Sequence, residues 1–97
     1  MGAGGVPNRN IEVIYGRYGD LPVRGAKPNS RYDLYVDGKM VQCRWFDAYG
    51  KVVRNRDYEH QNAHNNHKFP HDHIWFWDKG KPIRSKDGYE PDYKNYN

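Results

Sequence analysis

Residues 31–45 constrain the fold more than any other part of the sequence. Apolar and polar residues alternate on both sides of Asp37-Gly38, a dipeptide that favours the tight turn of a β-hairpin. The alternating apolar side chains are Tyr32, Leu34 and Val36 before the turn, and Val41, Cys43 and Trp45 after it. Because successive side chains of a strand point to opposite faces, this pattern predicts a hairpin with one buried face.

The hairpin extends into a larger sheet. A second turn signal, Ala48-Tyr49-Gly50-Lys51, is followed by a strand candidate at Val52–Asp57, which completes a three-stranded antiparallel meander. Further strands are predicted at residues 11–15 and 71–77, with a short return at 81–85. The sequence therefore predicts a mainly β fold, or an α+β fold with one short helix, built on a small antiparallel meander of about four to five strands.

The composition limits the core. The chain has 97 residues, of which 36% are hydrophobic, and Leu21 and Leu34 are its only leucines. The core must therefore rely on Tyr, Trp and Phe, which favour strands. We expect one domain over residues 11–97, preceded by a flexible segment or linker, residues 1–10, rich in Gly, Pro and Asn. The single cysteine, Cys43, excludes an internal disulfide and a CxxC zinc site.

The charge suggests the kind of partner. The formal net charge is +4 and the isoelectric point is about 9.2, which favours an anionic partner such as nucleic acid, an acidic protein or a membrane surface. A basic surface that serves only solubility is the alternative. No segment approaches the length of a membrane span, so none is expected.

All five histidines lie between His60 and His73. Exposed histidines in a polar loop are the simplest interpretation. A metal site is a second, because His71-x-His73 places two imidazoles on one face of a strand, and Asp57 offers a carboxylate. The candidate ligands are then His67, His71 and His73, and the cofactor would be a divalent metal such as zinc. No spacing matches a known zinc signature such as HExxH.

The third interpretation needs no cofactor. Neutral and protonated imidazoles coexist near neutral pH, so one histidine can remove the proton of an RNA 2′-hydroxyl while another protonates the leaving 5′-oxygen. The leading candidates for this acid/base pair are His60 and His71, with His73 or His67 as the second partner. Asp57 is placed to orient an imidazole.

Side chains near the histidines offer substrate contacts. Arg54 and Arg56 share one strand face with Tyr58 and are predicted to hold the phosphate. Tyr58 and Trp75 are candidates to stack on a base, although core packing is the alternative role for a tryptophan. Other basic residues near the histidine segment are Arg44, Arg84 and Lys86.

Three motifs carry a resemblance to a known family. They are Phe46-Asp47-Ala48-Tyr49-Gly50-Lys51, Asp57-Tyr58-Glu59-His60 and His67-Lys68-Phe69-Pro70-His71-Asp72-His73. The chain over roughly residues 31–85 resembles C-terminal toxin domains of bacterial polymorphic toxins, the variable tips of Rhs/YD-repeat and contact-dependent inhibition proteins. The motifs do not fix a subfamily.

The resemblance implies a nuclease, often a ribonuclease, with tRNA or rRNA as possible substrates. It also implies secretion or delivery as part of a larger bacterial protein, action in the target-cell cytoplasm, and a cognate immunity protein, expected to be acidic. We therefore expect a metal-independent ribonuclease. The alternatives are a metal-dependent nuclease and a non-enzymatic anion- or metal-binding module of a secreted or phage assembly.

Overall fold

Six β-strands form one sheet whose spatial order follows their order in the chain. The computed structural model describes residues 10–58 and 70–97. The strands are β1 (Asn10–Tyr15), β2 (Ser30–Val36), β3 (Lys39–Phe46), β4 (Val52–Asp57), β5 (His71–Asp78) and β6 (Lys81–Arg84). The predicted mainly β fold is confirmed, with six strands in place of four to five. The two described ranges contain no helix, and so none that could cross a membrane.

Strands β2 to β6 form the predicted meander, each antiparallel to the next. The β2–β3 turn has positive φ angles at Asp37 (52°) and Gly38 (79°), and the β5–β6 turn has them at Lys79 (51°) and Gly80 (79°). Positive φ at both central residues matches the right-handed twist of the flanking strands. These two tight turns fix the register of their hairpins.

Strand β1 pairs with β2 in parallel, which the sequence did not indicate. Parallel neighbours need a crossover connection, and residues 16–29 provide it. This segment is irregular and rich in glycine and proline. It crosses one face of the sheet, where Val52 donates its backbone N–H to the carbonyl of Val23 and Ala26 donates to that of Gly50.

The crossover completes the hydrophobic core. Leu21 packs with Leu34 and Val41 in one buried cluster. Ala26 packs with Phe46 and Val52 in a second, against which Tyr32, Trp75 and Trp77 lie partly buried. Both leucines are thus in the core, and the aromatic contribution comes from buried Trp45 and Phe46 and from partly buried tyrosine and tryptophan rings.

The strand register separates the polar residues of β4 and β5 into two sets. Asp57 lies opposite His71, and Asn55 lies opposite His73, on what we call the imidazole face. Arg56 lies opposite Asp72 on the other side, the arginine face. Directly opposite residues of antiparallel strands project to the same face, so the sheet keeps these two sets apart.

The C-terminal segment covers the arginine face. The ring of Tyr96 packs against Trp45 with 5.3 Å between ring centroids, and the carbonyl of Tyr96 accepts a hydrogen bond from Arg56 Nη1 at 3.0 Å. The guanidinium of Arg56 also stacks on Tyr93. Residues 1–9 and 59–69, which include most of the predicted flexible start and the predicted polar loop, lie outside the described residues.

Candidate functional site

Asp57, His71 and His73 meet on the imidazole face, at the end of β4 and the start of β5. Each offers one potential ligand atom, and these atoms all lie within 4.8 Å of one another. Their side chains are 4%, 12% and 8% exposed, respectively. Three of the predicted catalytic residues are thus brought together in a nearly enclosed cluster, in which His71 is the most accessible.

The two carboxylate oxygens of Asp57 have different surroundings. Oδ1 accepts hydrogen bonds from Gln42 Nε2 at 2.7 Å and Asn55 Nδ2 at 2.8 Å. Oδ2 lies 3.6 Å from His71 Nε2 and 3.8 Å from His73 Nε2. These two distances are too long for direct hydrogen bonds. The amide groups therefore orient the carboxylate so that its second oxygen points at both imidazoles.

The tautomer of His73 follows from the partner of Nδ1, the ring nitrogen that faces away from Asp57. Nδ1 lies 3.0 Å from the backbone carbonyl oxygen of Ser85, which can only accept, so Nδ1 carries a hydrogen. Burial lowers the pKa of His73 below its ordinary value, and the positive charge of Arg84 lowers the pKa further, against the opposing effect of the Ser85 hydrogen bond. The neutral ring is thereby favoured, and its Nε2 presents a lone pair towards Asp57.

His71 is positioned by a close backbone approach. Its ring lies 5.1 Å from that of His73, at 79° between the ring planes. A Cβ atom at Gly88 would lie 3.1 Å from Cδ2 of His71, so any side chain at position 88 would press on the imidazole. The bridge between Asp72 and Tyr89 holds this segment beside β5.

Two arginines add positive charge to this face. Arg44 lies opposite Asn55 in the β3–β4 register, and Arg84 lies opposite Trp75. Burial lowers the pKa of Arg44 to about 10, with Asp57 opposing the shift and Arg84 adding to it. Both guanidiniums are thus close enough to the cluster to affect its charge balance. Arg44 Nη1 donates to the carbonyl of Leu21 at 2.9 Å, which anchors it to the crossover.

The predicted phosphate-binding arginines lie on the opposite face. Arg54 Nε is 2.6 Å from Asp72 Oδ2, and Arg56 Nε is 2.7 Å from Asp72 Oδ1. Burial opposes ionisation of Asp72, but the hydrogen bonds from Arg56 and Arg54 outweigh it and lower the pKa of this carboxyl. Neither arginine joins His71 and His73, because the sheet separates them. Arg44 and Arg84 lie on the histidine side.

The two predicted stacking residues are also held by the protein. Trp75 lies half-buried on the imidazole face, where its Nε1 donates to Asn55 Oδ1 at 2.6 Å and Arg44 stacks on its ring. Tyr58 is half-buried, and burial together with neighbouring Cys43 raises the pKa of its phenol to about 12. Trp75 thus supports the site as packing. The candidate acid/base residues His60 and His67 lie outside the described residues.

Several supporting residues were not predicted from the sequence. They are Gln42, Asn55, Ser85 and Gly88. Asn55 could have been predicted, because residues two apart on a strand project to the same face. Asn55 therefore shares a face of β4 with Asp57, whereas Arg54 and Arg56 project to the other face. The others depend on how neighbouring strands and the segment after β6 pack. No protein-family model, curated protein or solved structure matches the chain.

Proposed function

We propose that the chain is a ribonuclease domain of the toxin type, which cleaves RNA phosphodiesters at the Asp57–His71–His73 cluster. The observation that carries the proposal is the convergence of two imidazoles and a carboxylate beside Arg44 and Arg84 on one face. Imidazoles move protons at neutral pH, and guanidiniums bind phosphate. The net charge of +4 and the motif resemblance support an anionic substrate.

The reaction requires one proton to leave and one to arrive. The 2′-oxygen attacks phosphorus as its proton is removed, the bond from phosphorus to the 5′-oxygen breaks, and that oxygen receives a proton, which leaves a 2′,3′-cyclic phosphate. In the metal-independent route predicted from the sequence, histidines carry out both transfers. His71 is the described residue best suited to one of them, because it is the more exposed imidazole and faces Asp57 Oδ2 at 3.6 Å.

A metal-dependent route is the second candidate, and one observation favours it. His73 presents an Nε2 lone pair to a carboxylate oxygen 3.8 Å away, an arrangement that suits a shared cation. The site residues would then be Asp57, His71 and His73. His67, the third residue of the ligand set predicted from the sequence, lies outside the described residues.

The biological setting is part of the same proposal. Delivery by a larger bacterial protein, action in the cytoplasm of a target cell and neutralisation by an acidic immunity protein follow from the motif resemblance. The basic charge of the domain supports the last of these, because opposite charges speed association.

The test is controlled expression in bacteria with analysis of total RNA, followed by RNA cleavage by the purified protein. We expect the wild type to arrest growth and degrade RNA, and His71→Ala to cleave RNA about 100-fold more slowly or worse. Phe76→Ala is the matched control, because Phe76 is on the same strand, is 54% exposed and lies on the other face. Intact RNA in arrested cells, or a wild type as harmless as His71→Ala, would refute the proposal.

A further inference from the structure

We infer that Asp57, His71 and His73 form a binding site for one divalent transition-metal cation, with zinc the best match. The inference uses the same cluster as the proposed ribonuclease and specifies its cofactor. The binding itself is independent of any reaction on RNA, so the two can fail separately.

Two hydrogen-bond acceptors, one from His73 and one from Asp57, face each other in the cluster. Ser85 accepts the Nδ1 hydrogen of His73, so in the neutral ring Nε2 has a lone pair and no hydrogen. That lone pair faces Asp57 Oδ2, which is also an acceptor, at 3.8 Å. Two buried acceptors repel each other unless a proton or a cation lies between them. A metal ion shared by the two atoms removes the repulsion.

Hydrogen bonds to neighbouring residues hold two of the three candidate ligands in place. A histidine that binds a metal commonly donates its other ring N–H to a backbone carbonyl, and a carboxylate that binds one is itself hydrogen-bonded. His73 has the first arrangement through Ser85, and Asp57 has the second through Gln42 and Asn55. Because these hydrogen bonds use Nδ1 of His73 and Oδ1 of Asp57, Nε2 of His73 and Oδ2 of Asp57 are the atoms that face each other in the cluster.

The candidate ligand atoms are spaced closely enough to share one ion. Metal–ligand bonds of about 2.1 Å in a tetrahedral zinc site place the ligand atoms about 3.4 Å apart. Asp57 Oδ2 is 3.6 Å and 3.8 Å from the two Nε2 atoms, which is a few tenths of an ångström more than this spacing. All three ligand atoms lie within 4.8 Å of one another. Two imidazoles and one carboxylate leave a fourth position open, as in catalytic zinc sites.

The charge around the cluster indicates what the open position would accept. Arg44 and Arg84 lie on the same face as the cluster, so their charges weaken the attraction of the site for a bare cation and favour an anion beside it. A phosphate oxygen of the substrate is such a ligand. The arrangement therefore fits a metal that binds together with an anionic substrate.

The experiment measures cation binding by the full chain, first stripped with a chelator. Titration with zinc against a chromophoric chelator gives the stoichiometry, and Co²⁺ gives the visible absorption of a tetrahedral site. We expect one equivalent per chain. Asp57→Asn keeps an oxygen for Gln42 and Asn55 but loses the ligand charge, so its affinity should fall about 100-fold or more. His73→Ala should abolish the Co²⁺ absorption.

His64 supplies the control, because it is in neither the acid/base set nor the ligand set predicted from the sequence. His64→Ala should keep the site at one equivalent. Loss of binding in that variant, or full binding by folded Asp57→Asn, would overturn the inference. Cation binding without RNA cleavage supports this inference and refutes the ribonuclease. RNA cleavage by a chain that binds no cation supports the ribonuclease and refutes the cation site.

Discussion

Each face of the β4–β5 pair has one buried aspartate beside basic side chains, but the two carboxylates differ in how closely those side chains approach them. On the arginine face, Asp72 Oδ1 accepts from Arg56 Nε at 2.7 Å, and Oδ2 accepts from Arg54 Nε at 2.6 Å and Arg56 Nη2 at 3.0 Å. On the imidazole face, Asp57 has one oxygen bound by two amides and the other 3.6–3.8 Å from two imidazoles. Both carboxylates are buried, so solvent does not explain the difference.

The difference separates a structural network from a candidate site. A buried charge is tolerated when its hydrogen-bonding capacity is filled, and the Asp72 network meets this condition within the chain. In the Asp57 cluster, Oδ2 is beyond hydrogen-bond distance of both imidazoles, which is the space that the proposed proton transfer or metal requires. Neighbouring residues of β5 therefore belong to different networks: Asp72 is part of the structural network, whereas His71 and His73 are part of the candidate site.

The largest test exchanges each aspartate for its amide. Asp72→Asn leaves buried Arg56 and partly buried Arg54 without a counter-charge, and we expect a loss of about 3–5 kcal/mol in the free energy of unfolding, measured with urea. Asp57→Asn should change the same quantity by less than about 1 kcal/mol, because its amide nitrogen can donate to a histidine while its oxygen keeps Gln42 and Asn55. Equal losses from the two variants would remove the distinction between the faces.

A smaller test asks whether the Cys43 thiol, on the arginine face, is shielded from solvent; it measures stability at high pH. Burial, together with the charge of Asp33, raises the pKa of the Cys43 thiol to about 12. Since the folded pKa is above the unfolded one, the stabilisation is complete below about pH 8.5 and is lost as pH rises towards 12. The wild type should lose stability relative to Cys43→Ala by up to about 1.4 kcal/mol per pH unit. Parallel pH profiles from pH 8 to 11 would show an accessible thiol.

The smallest test moves one imidazole. Gly88→Ala places a Cβ about 3.1 Å from His71 Cδ2, so the ring must shift by a few tenths of an ångström. We expect RNA cleavage to fall by up to about tenfold, since small displacements of a reacting group slow the reaction. The free energy of unfolding should change little, because Gly88 is not in the positive-φ region and alanine can adopt its backbone conformation. Gly25→Ala is not a suitable control, since Gly25 has a φ of 72°.

Sequence patterns predicted the parts of the fold that depend on local signals. The Asp37-Gly38 turn and the apolar alternation around it fixed β2 and β3, and the alternation of residues 71–77 correctly placed His71 and His73 on one face. The parallel pairing of β1 was not predictable in this way. It depends on the crossover packing Leu21 and Ala26 against the sheet, which is a tertiary effect.

The candidate site was predicted only in part for a related reason. Proximity in sequence placed Arg54 and Arg56 beside Asp57, but neighbours along a strand point to opposite faces. Applying that rule to β4 would have paired Asp57 with Asn55 in place of the arginines. The contributions of Ser85 and Gly88 arise from the segment after β6 folding back on β5, for which the sequence has no local signal.

The alternation within β5 has a consequence for insertions and deletions. His71, Asp72 and His73 are consecutive, and the middle residue belongs to one network while its neighbours belong to the other. Adding or removing one residue at the start of this strand would turn a histidine towards Arg56 and an aspartate towards Asp57. The Asp72–arginine network and the Asp57–histidine cluster would both be lost. We therefore expect homologues to vary in length outside this tripeptide, and the spacing within it to be invariant.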